Sequence, residues 1–193
     1  MNLEIILVLF YSYFLGSIPF GLIITKLFLR KDIRKVGSGN IGTTNVLRTG
    51  KKSLAIATLI FDILKGYISV VITLKYFNDL VYFSALICFI GHIFPVWLKL
   101  KGGKGVATYL GIILALSFKF GIIFGLTWLL ISFIFKYSSL SSMIGALIVF
   151  VYSIFLNNIT LSIFLFITFI IILYTHRENI VRLKDSSETK IKL

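Results

Sequence analysis

The sequence predicts an all-α membrane protein of seven transmembrane helices, N-terminus outside and C-terminus cytoplasmic. Three observations predict it: the composition, the lengths of the apolar runs, and the placement of Lys and Arg. Apolar residues make up 58% of the 193 residues and charged residues only 14%, with a mean hydropathy of +1.01. A soluble domain carries about 25% charged residues, so this chain lacks the polar surface to clothe a soluble core. Disordered, collagenous, coiled-coil and disulfide-stapled classes are excluded too, and the one cysteine, Cys88, lies in an apolar run without a partner. The net charge of +13 lies in short loops between apolar segments. A nucleic-acid partner needs such charge on a soluble face, so none is expected.

Taken in order, Met1 to Glu4 has no basic flank and no small-residue cleavage site nearby, unlike a signal peptide. The first apolar run covers Leu3 to Leu29, followed by a basic stretch, Arg30 to Ser53. The second covers Leu54 to Leu74 and the third Leu80 to Leu98; the Gly/Lys segment Lys99 to Gly105 then intervenes. Val106 to Phe135 is apolar apart from Lys119, and Met143 to Thr175 is apolar apart from Asn157-Asn158. These two runs hold 30 and 33 residues, and a straight helix of that length rises about 45 Å, beyond the ~30 Å hydrocarbon core. Each therefore reads as two short spans, turning at Lys119 and at Asn157-Asn158. A polar tail, His176 to Leu193, closes the chain.

Charge decides between seven spans and six. Seven spans put 17 Lys/Arg inside and only Lys75 and Lys119 outside, with Lys65 intramembrane; six would give eleven inside and seven outside. The positive-inside rule selects seven. No internal repeat of the kind found in many transporters is visible, and residues 1–193 read as a single domain.

Gly37-Ser38-Gly39-Asn40-Ile41-Gly42 matches G-x-G-x-x-G, but it follows a basic loop rather than a strand, and Asp62 downstream sits inside a membrane helix. It is not a dinucleotide fingerprint. Its information lies in the density of Ser38, Gly39, Asn40, Gly42, Thr43, Thr44 and Asn45 ahead of Arg48. Glycines let amides converge on an anion, hydroxyls and amides donate, and an arginine fork grips phosphate or carboxylate. The plainer reading is a basic loop touching anionic headgroups. A second cluster, Gly102, Gly103, Lys104 and Gly105, opens a helix whose unpaired amides and dipole favour an anion; alternatively it is a turn with snorkelling lysines.

His92 lies near the cytoplasmic end of the third span. His176 begins the tail with Asn179 one turn on, where a histidine also caps a helix C-terminus. Asp62 and Lys65 stand three apart on one face of the second span. They form an ion pair that holds the bundle, or they support the site and orient its loops. Ser139 and Ser142 belong to a serine cluster that caps a helix or donates to phosphate. No metal ligand set is expected from two isolated histidines and a buried cysteine. By this topology both glycine loops, the serines and His176 to Asn179 reach one membrane face, with His92 just beneath.

Six segments carry a resemblance over almost the whole chain: Gly16 to Gly21, Gly37 to Arg48, Asp62 to Gly66, Gly91 to Trp97, Lys101 to Thr108 and His176 to Leu183. The sequence resembles the bacterial integral-membrane acyl-phosphate:glycerol-3-phosphate 1-acyltransferases. It departs from the common pattern at Thr43, where many members have alanine, and at Lys136, where arginine is common. The resemblance implies a multi-pass protein of the bacterial cytoplasmic membrane, with a cytoplasmic site and no cofactor. It implies acyl transfer from acyl phosphate to the 1-hydroxyl of glycerol 3-phosphate, with lysophosphatidate and phosphate as products, early in phospholipid synthesis. No obligate protein partner is evident beyond the two substrates and the bilayer.

The H-x-x-x-x-D spacing of other glycerolipid acyltransferases lands on Trp97 and Val181, and no G-x-S-x-G occurs. No acyl-enzyme is therefore expected. Arg48, Lys104, His176 and Asn179 are the expected catalytic residues, with Ser142 also on phosphate and the amides of Ser38 to Thr44 and Gly102 to Gly105 as further donors. The base is His176 or a substrate phosphate oxygen. A transporter of a small phosphorylated anion is the alternative, but it calls for charge at the midplane and access from both faces. A lipid-binding scaffold would not need so many neutral donors.

Overall fold

The computed structural model describes residues 3–191. Met1 and Asn2, at the start of the predicted external N-terminus, and Lys192, one of the predicted cytoplasmic cations, lie outside the described residues together with Leu193. Every regular element among the described residues is helical, and the chain divides into two compact units, 1–116 and 117–193.

The first unit begins with α1 (Leu3–Ser17) and α2 (Phe20–Leu29). Pro19 separates them, because proline has no N–H to give and disfavours helix in the residue before it. The carbonyls this break frees find distant donors: Lys65 Nζ donates to Ile18 O at 2.7 Å and Trp97 Nε1 to Ser17 O at 3.0 Å. A short helix α3 (Thr43–Leu47) lies in the loop before α4 (Lys52–Tyr76), α5 (Val81–Ile93) and α6 (Val106–Leu116). A Cβ on Gly16 would strike the Cys88 carbonyl, and one on Gly111 the Ile63 carbonyl. Close α1–α5 and α4–α6 contacts through small residues are the usual means of packing helices in lipid. A hydroxyl seam adds glue between α1, α4 and α5: Ser84 Oγ lies 2.7 Å from Ser12 Oγ and accepts from Thr73 Oγ1 at 2.7 Å.

The second unit holds α7 (Phe118–Phe135), α8 (Ser138–Ile154), α9 (Ile159–Thr175) and the short polar α10 (Arg177–Lys184). The long apolar runs break as expected, with one shift: the first turn falls at Ser117, in extended backbone, two residues before Lys119. At the second, Asn157 is left-handed (φ 53°) and Asn158 caps α9, its Oδ1 accepting from Leu161 N at 3.0 Å.

Four segments are long and apolar enough to cross a membrane: Leu3–Leu29, Lys52–Tyr76, Asn78–Leu98 and Phe118–Phe135. A fifth results if α9 and α10, bent by 60°, count as one span, while α6 and α8 are shorter apolar helices. Leu126, Leu129, Leu130 and Phe133 of α7 are exposed, the pattern of a lipid-facing surface.

Candidate active site

In the first unit, residues 30–51 sit on a small apolar core of Leu22, Ile33, Ile41, Val46, Ala55 and Leu98. Asp32 caps the 3-10 turn at Ile33–Lys35, accepting from Arg34 N at 3.0 Å. The Arg34 side chain, hydrogen-bonded to Asp32 at 2.6 Å, holds that carboxyl well below the ordinary carboxylate range. Asn45 organises the loop that follows. Its amide donates to Ile33 O, Val36 O and Asn40 O at 3.1, 2.9 and 2.7 Å, and its Oδ1 accepts from Ser38 N at 3.0 Å.

Asn45 gives all its donor capacity to backbone carbonyls. The backbone amide of Ser38 is taken by Asn45 Oδ1 and that of Gly42 by Asn40 Oδ1, at 2.9 Å, while the Asn40 Nδ2 donors are not used in that contact. Ser38, Thr44 and Arg48 are the exposed polar side chains of the segment. Gly37 is left-handed (φ 55°), and a Cβ there would lie 2.9 Å from Arg48 Cδ, so its bareness lets the arginine stem cross it. Arg48 makes no ion pair among the described residues, leaving a five-donor fork on the surface. Thr43 Oγ1 is buried without a hydrogen-bond partner among them.

The second glycine loop is tied to the end of α5. Gly102 N donates to Ile93 O at 2.9 Å and Gly103 N to His92 O at 3.1 Å. Those two amides therefore satisfy helix carbonyls, which revises their expected role as anion donors. Gly105 is left-handed (φ 83°), and a Cβ there would strike the Phe89 ring. Lys104 is half-buried between these glycines. Beneath, Lys65 Nζ and Asp62 Oδ1 are 2.8 Å apart with both side chains buried, and Asp62 Oδ1 is 3.7 Å from His92 Nδ1.

In the second unit, His176 links α9 to α10 and is buried. Its Nδ1 lies 2.8 Å from Ile172 O. A carbonyl only accepts, so Nδ1 carries a proton in this contact. Asn179 Nδ2 donates to Glu188 Oε1 at 2.6 Å, Ser139 Oγ to the same oxygen at 2.9 Å, and Arg182 Nε to Oε2 at 2.7 Å. Partial burial pushes the Glu188 carboxyl up, but the three donors outweigh it and hold it below its ordinary range. Ser142 Oγ donates to Ser138 O at 2.8 Å and accepts from Trp128 Nε1 at 3.1 Å. Its proton is therefore given to a helix carbonyl.

The profile of the family described as glycerol-3-phosphate acyltransferase matches residues 6–186. The chain belongs to this acyltransferase family. Curated relatives called glycerol-3-phosphate acyltransferase include one from Pelagibacter ubique, 51% identical over 99% of this chain and 100% of the relative. Another, from Mesorhizobium japonicum, is 47% identical over 99% and 98%. Among solved structures, the glycerol 3-phosphate form of PlsY (YgiH), an integral membrane glycerol 3-phosphate acyltransferase, superposes with a TM-score of 0.93 at 35% identity, covering 98% of this chain and 96% of that one. The lysophosphatidic acid form of the same enzyme gives 0.90 at 34% identity with the same coverage.

Like the enzymes it resembles, this acyltransferase-family chain is an integral membrane protein. Sequence reasoning missed Glu188, which looks like any acid of a polar tail, and Trp128, which looks like lipid-facing bulk; their serine partners lie 49 and 14 residues away. Thr108 falls inside a segment the sequence singles out, Lys101 to Thr108, but its contact with His92, 16 residues away, has no local signature. Among the described residues, no group of three His, Cys, Asp or Glu is placed to hold a metal.

Proposed function

We propose that this protein acylates the 1-hydroxyl of glycerol 3-phosphate with acyl phosphate as donor, releasing lysophosphatidate and inorganic phosphate. Membership of the glycerol-3-phosphate acyltransferase family, over residues 6–186, carries the reading. The whole chain acts as one acyltransferase domain in the bacterial cytoplasmic membrane. It crosses seven times, with the N-terminus outside and the chemistry on the cytoplasmic side. The 17 to 2 division of Lys and Arg supports that topology.

Acyl phosphate is a mixed anhydride with a good leaving group. The hydroxyl oxygen bonds to the acyl carbon, the bond from that carbon to the phosphate oxygen breaks, and the hydroxyl proton ends on the released phosphate. The protein's part is then to position two anionic substrates and stabilise charge. Arg48 and Lys104 in the first unit supply positive charge for phosphate, with Ser38, Thr43 and Thr44 as hydroxyl donors. In the second unit Asn179, one turn after His176, and Ser139 and Ser142 of α8 are the further polar groups for substrate. The Nδ1–H bond to Ile172 O turns the Nε2 lone pair of His176 into an acceptor, suited to receive the hydroxyl proton or hold it until a phosphate oxygen takes it.

Donor choice tests the proposal. Purified protein is given labelled glycerol 3-phosphate with acyl phosphate or with acyl-CoA, and the lipid phase is counted. Label is expected in lipid with acyl phosphate alone; efficient transfer from acyl-CoA would remove the donor assignment.

A further inference from the structure

The last carbonyls of α5, the imidazole of His92 and the first turn of α6 meet around one residue, Lys104. His92 O accepts from Gly103 N at 3.1 Å, and Ile93 O accepts from Gly102 N at 2.9 Å. On the side-chain end, a Cβ at Gly103 would land on His92 Nε2, so the ring edge occupies the space any larger residue would need. The other ring nitrogen, Nδ1, lies 3.1 Å from Thr108 Oγ1. Backbone and side chain of one histidine thus grip the chain on both sides of Lys104, at positions 103 and 108.

The ring itself is held from behind. Asp62 Oδ1 stands 3.7 Å from Nδ1 and is fixed by Lys65 Nζ at 2.8 Å. Lys65 in turn donates to Ile18 O at 2.7 Å, at the break between α1 and α2. An ion pair buried in a membrane helix is costly unless each group has partners, and here Lys65 has the Ile18 carbonyl while Asp62 faces His92. Cys88, the other group of this neighbourhood, places its Sγ 3.8 Å from Lys65 O.

We propose that His92 is a positioning residue for acyl transfer: it fixes the 101–105 loop, and so the Lys104 ammonium, at a register set by Asp62, Lys65 and Thr108. The inference rests on the acyltransferase reading for its kinetic consequence, but not for its structural one. His92 touches no substrate in this account. Its loss shifts where Lys104 presents its charge, which weakens substrate binding more than turnover.

The test uses the full-length protein in lipid nanodiscs. His92→Ala is expected to raise KM for at least one of the two phosphate substrates by on the order of tenfold, the effect of losing one or two hydrogen bonds, with kcat changed less. Backbone hydrogen exchange in 101–105 should accelerate while α4 stays protected. Thr108→Ser keeps the hydroxyl and should behave as the unaltered protein, whereas Thr108→Val should repeat the KM effect. An unchanged KM and unchanged exchange in His92→Ala would overturn the proposal. Should His92→Ala fail to fold, the Thr108 pair decides: equal KM in Ser and Val variants overturns it. If the unaltered protein shows no acyl transfer, the functional reading fails, and the exchange pattern alone then decides whether His92 fixes the loop.

Discussion

Asn179 donates to Glu188 across 2.6 Å, and the carboxylate that receives it also takes Ser139 and Arg182. The tail after α10 is thereby folded back on the second unit, where Ile191 N also reaches Lys136 O at 2.7 Å. Two residues expected to meet phosphate are held by an anion the chain provides itself. Glu188 fixes the rotamers of Asn179 and Ser139.

Glu188→Gln keeps the shape and removes the charge. Charge-assisted hydrogen bonds are worth about 1.5–3 kcal/mol each, and the glutamate side chain is only 8% exposed. The variant should lose on the order of 1–3 kcal/mol, read as a lower midpoint of thermal unfolding in detergent. An unchanged midpoint would mean that the tail does not hold this unit together.

The same carboxylate sets a pH dependence. Its pKa is lowered on folding from an ordinary 4.5, so the unfolded chain binds the proton more readily. The stabilisation is complete above pH about 4.5 and disappears as pH falls through the lower folded value. The midpoint gap between the unaltered protein and Glu188→Gln should therefore be constant from pH 8 to 6 and close as the solution is acidified below 4.5. A gap that widens on acidification would reverse the sign and refute the assignment.

Breaking the buried pair should cost more than deleting it. Asp62→Ala leaves the Lys65 ammonium without its carboxylate inside the helix bundle, a change worth about 3–5 kcal/mol. Replacing both, as in Asp62→Leu with Lys65→Met, removes the uncompensated charge and should recover part of the loss. Comparison of folded yield and thermal midpoint for the single and double variants checks this; a double variant worse than Asp62→Ala would contradict it.

Arg48 and His176 are separable by kinetics. Arg48→Lys preserves charge but removes the fork, and KM for an anionic substrate should rise about tenfold or more if two parallel hydrogen bonds to phosphate are lost. His176→Gln should keep measurable turnover if the hydroxyl proton passes directly to phosphate. If His176 Nε2 is the base, the loss should reach the ~10²–10⁴ range of general-base catalysis, with glycerol 3-phosphate still bound.

Much of this architecture is legible in residue order. Apolar run lengths against bilayer thickness located the breaks at Ser117 and at Asn157-Asn158, the first two residues from its expected position at Lys119. The Asp62–Lys65 spacing announced an ion pair, and the pair is there. Pro19 also carried its break, but a run that stays apolar on both sides hides it from hydropathy. What was not legible was the allocation of hydrogen bonds. Whether Asn45, Gly102, Gly103 and Ser142 donate to a ligand or to the backbone depends on where the carbonyls of Ile33, Ile93, His92 and Ser138 fall once the chain is folded. Glu188 was invisible for the same reason, since Ser139 of α8 reaches it from 49 residues away and the tail must turn back for it to meet Asn179 and Arg182 of α10.

The most direct test of the central claim is stoichiometric. Purified protein is incubated with acyl phosphate and glycerol 3-phosphate, and inorganic phosphate and lysophosphatidate are quantified in the same samples over time. Acyl transfer with cleavage between the acyl carbon and the phosphate oxygen predicts one phosphate released for each lysophosphatidate formed, and no release when glycerol 3-phosphate is omitted. Phosphate release that continues without glycerol 3-phosphate, or lysophosphatidate that accumulates without phosphate, would contradict the account.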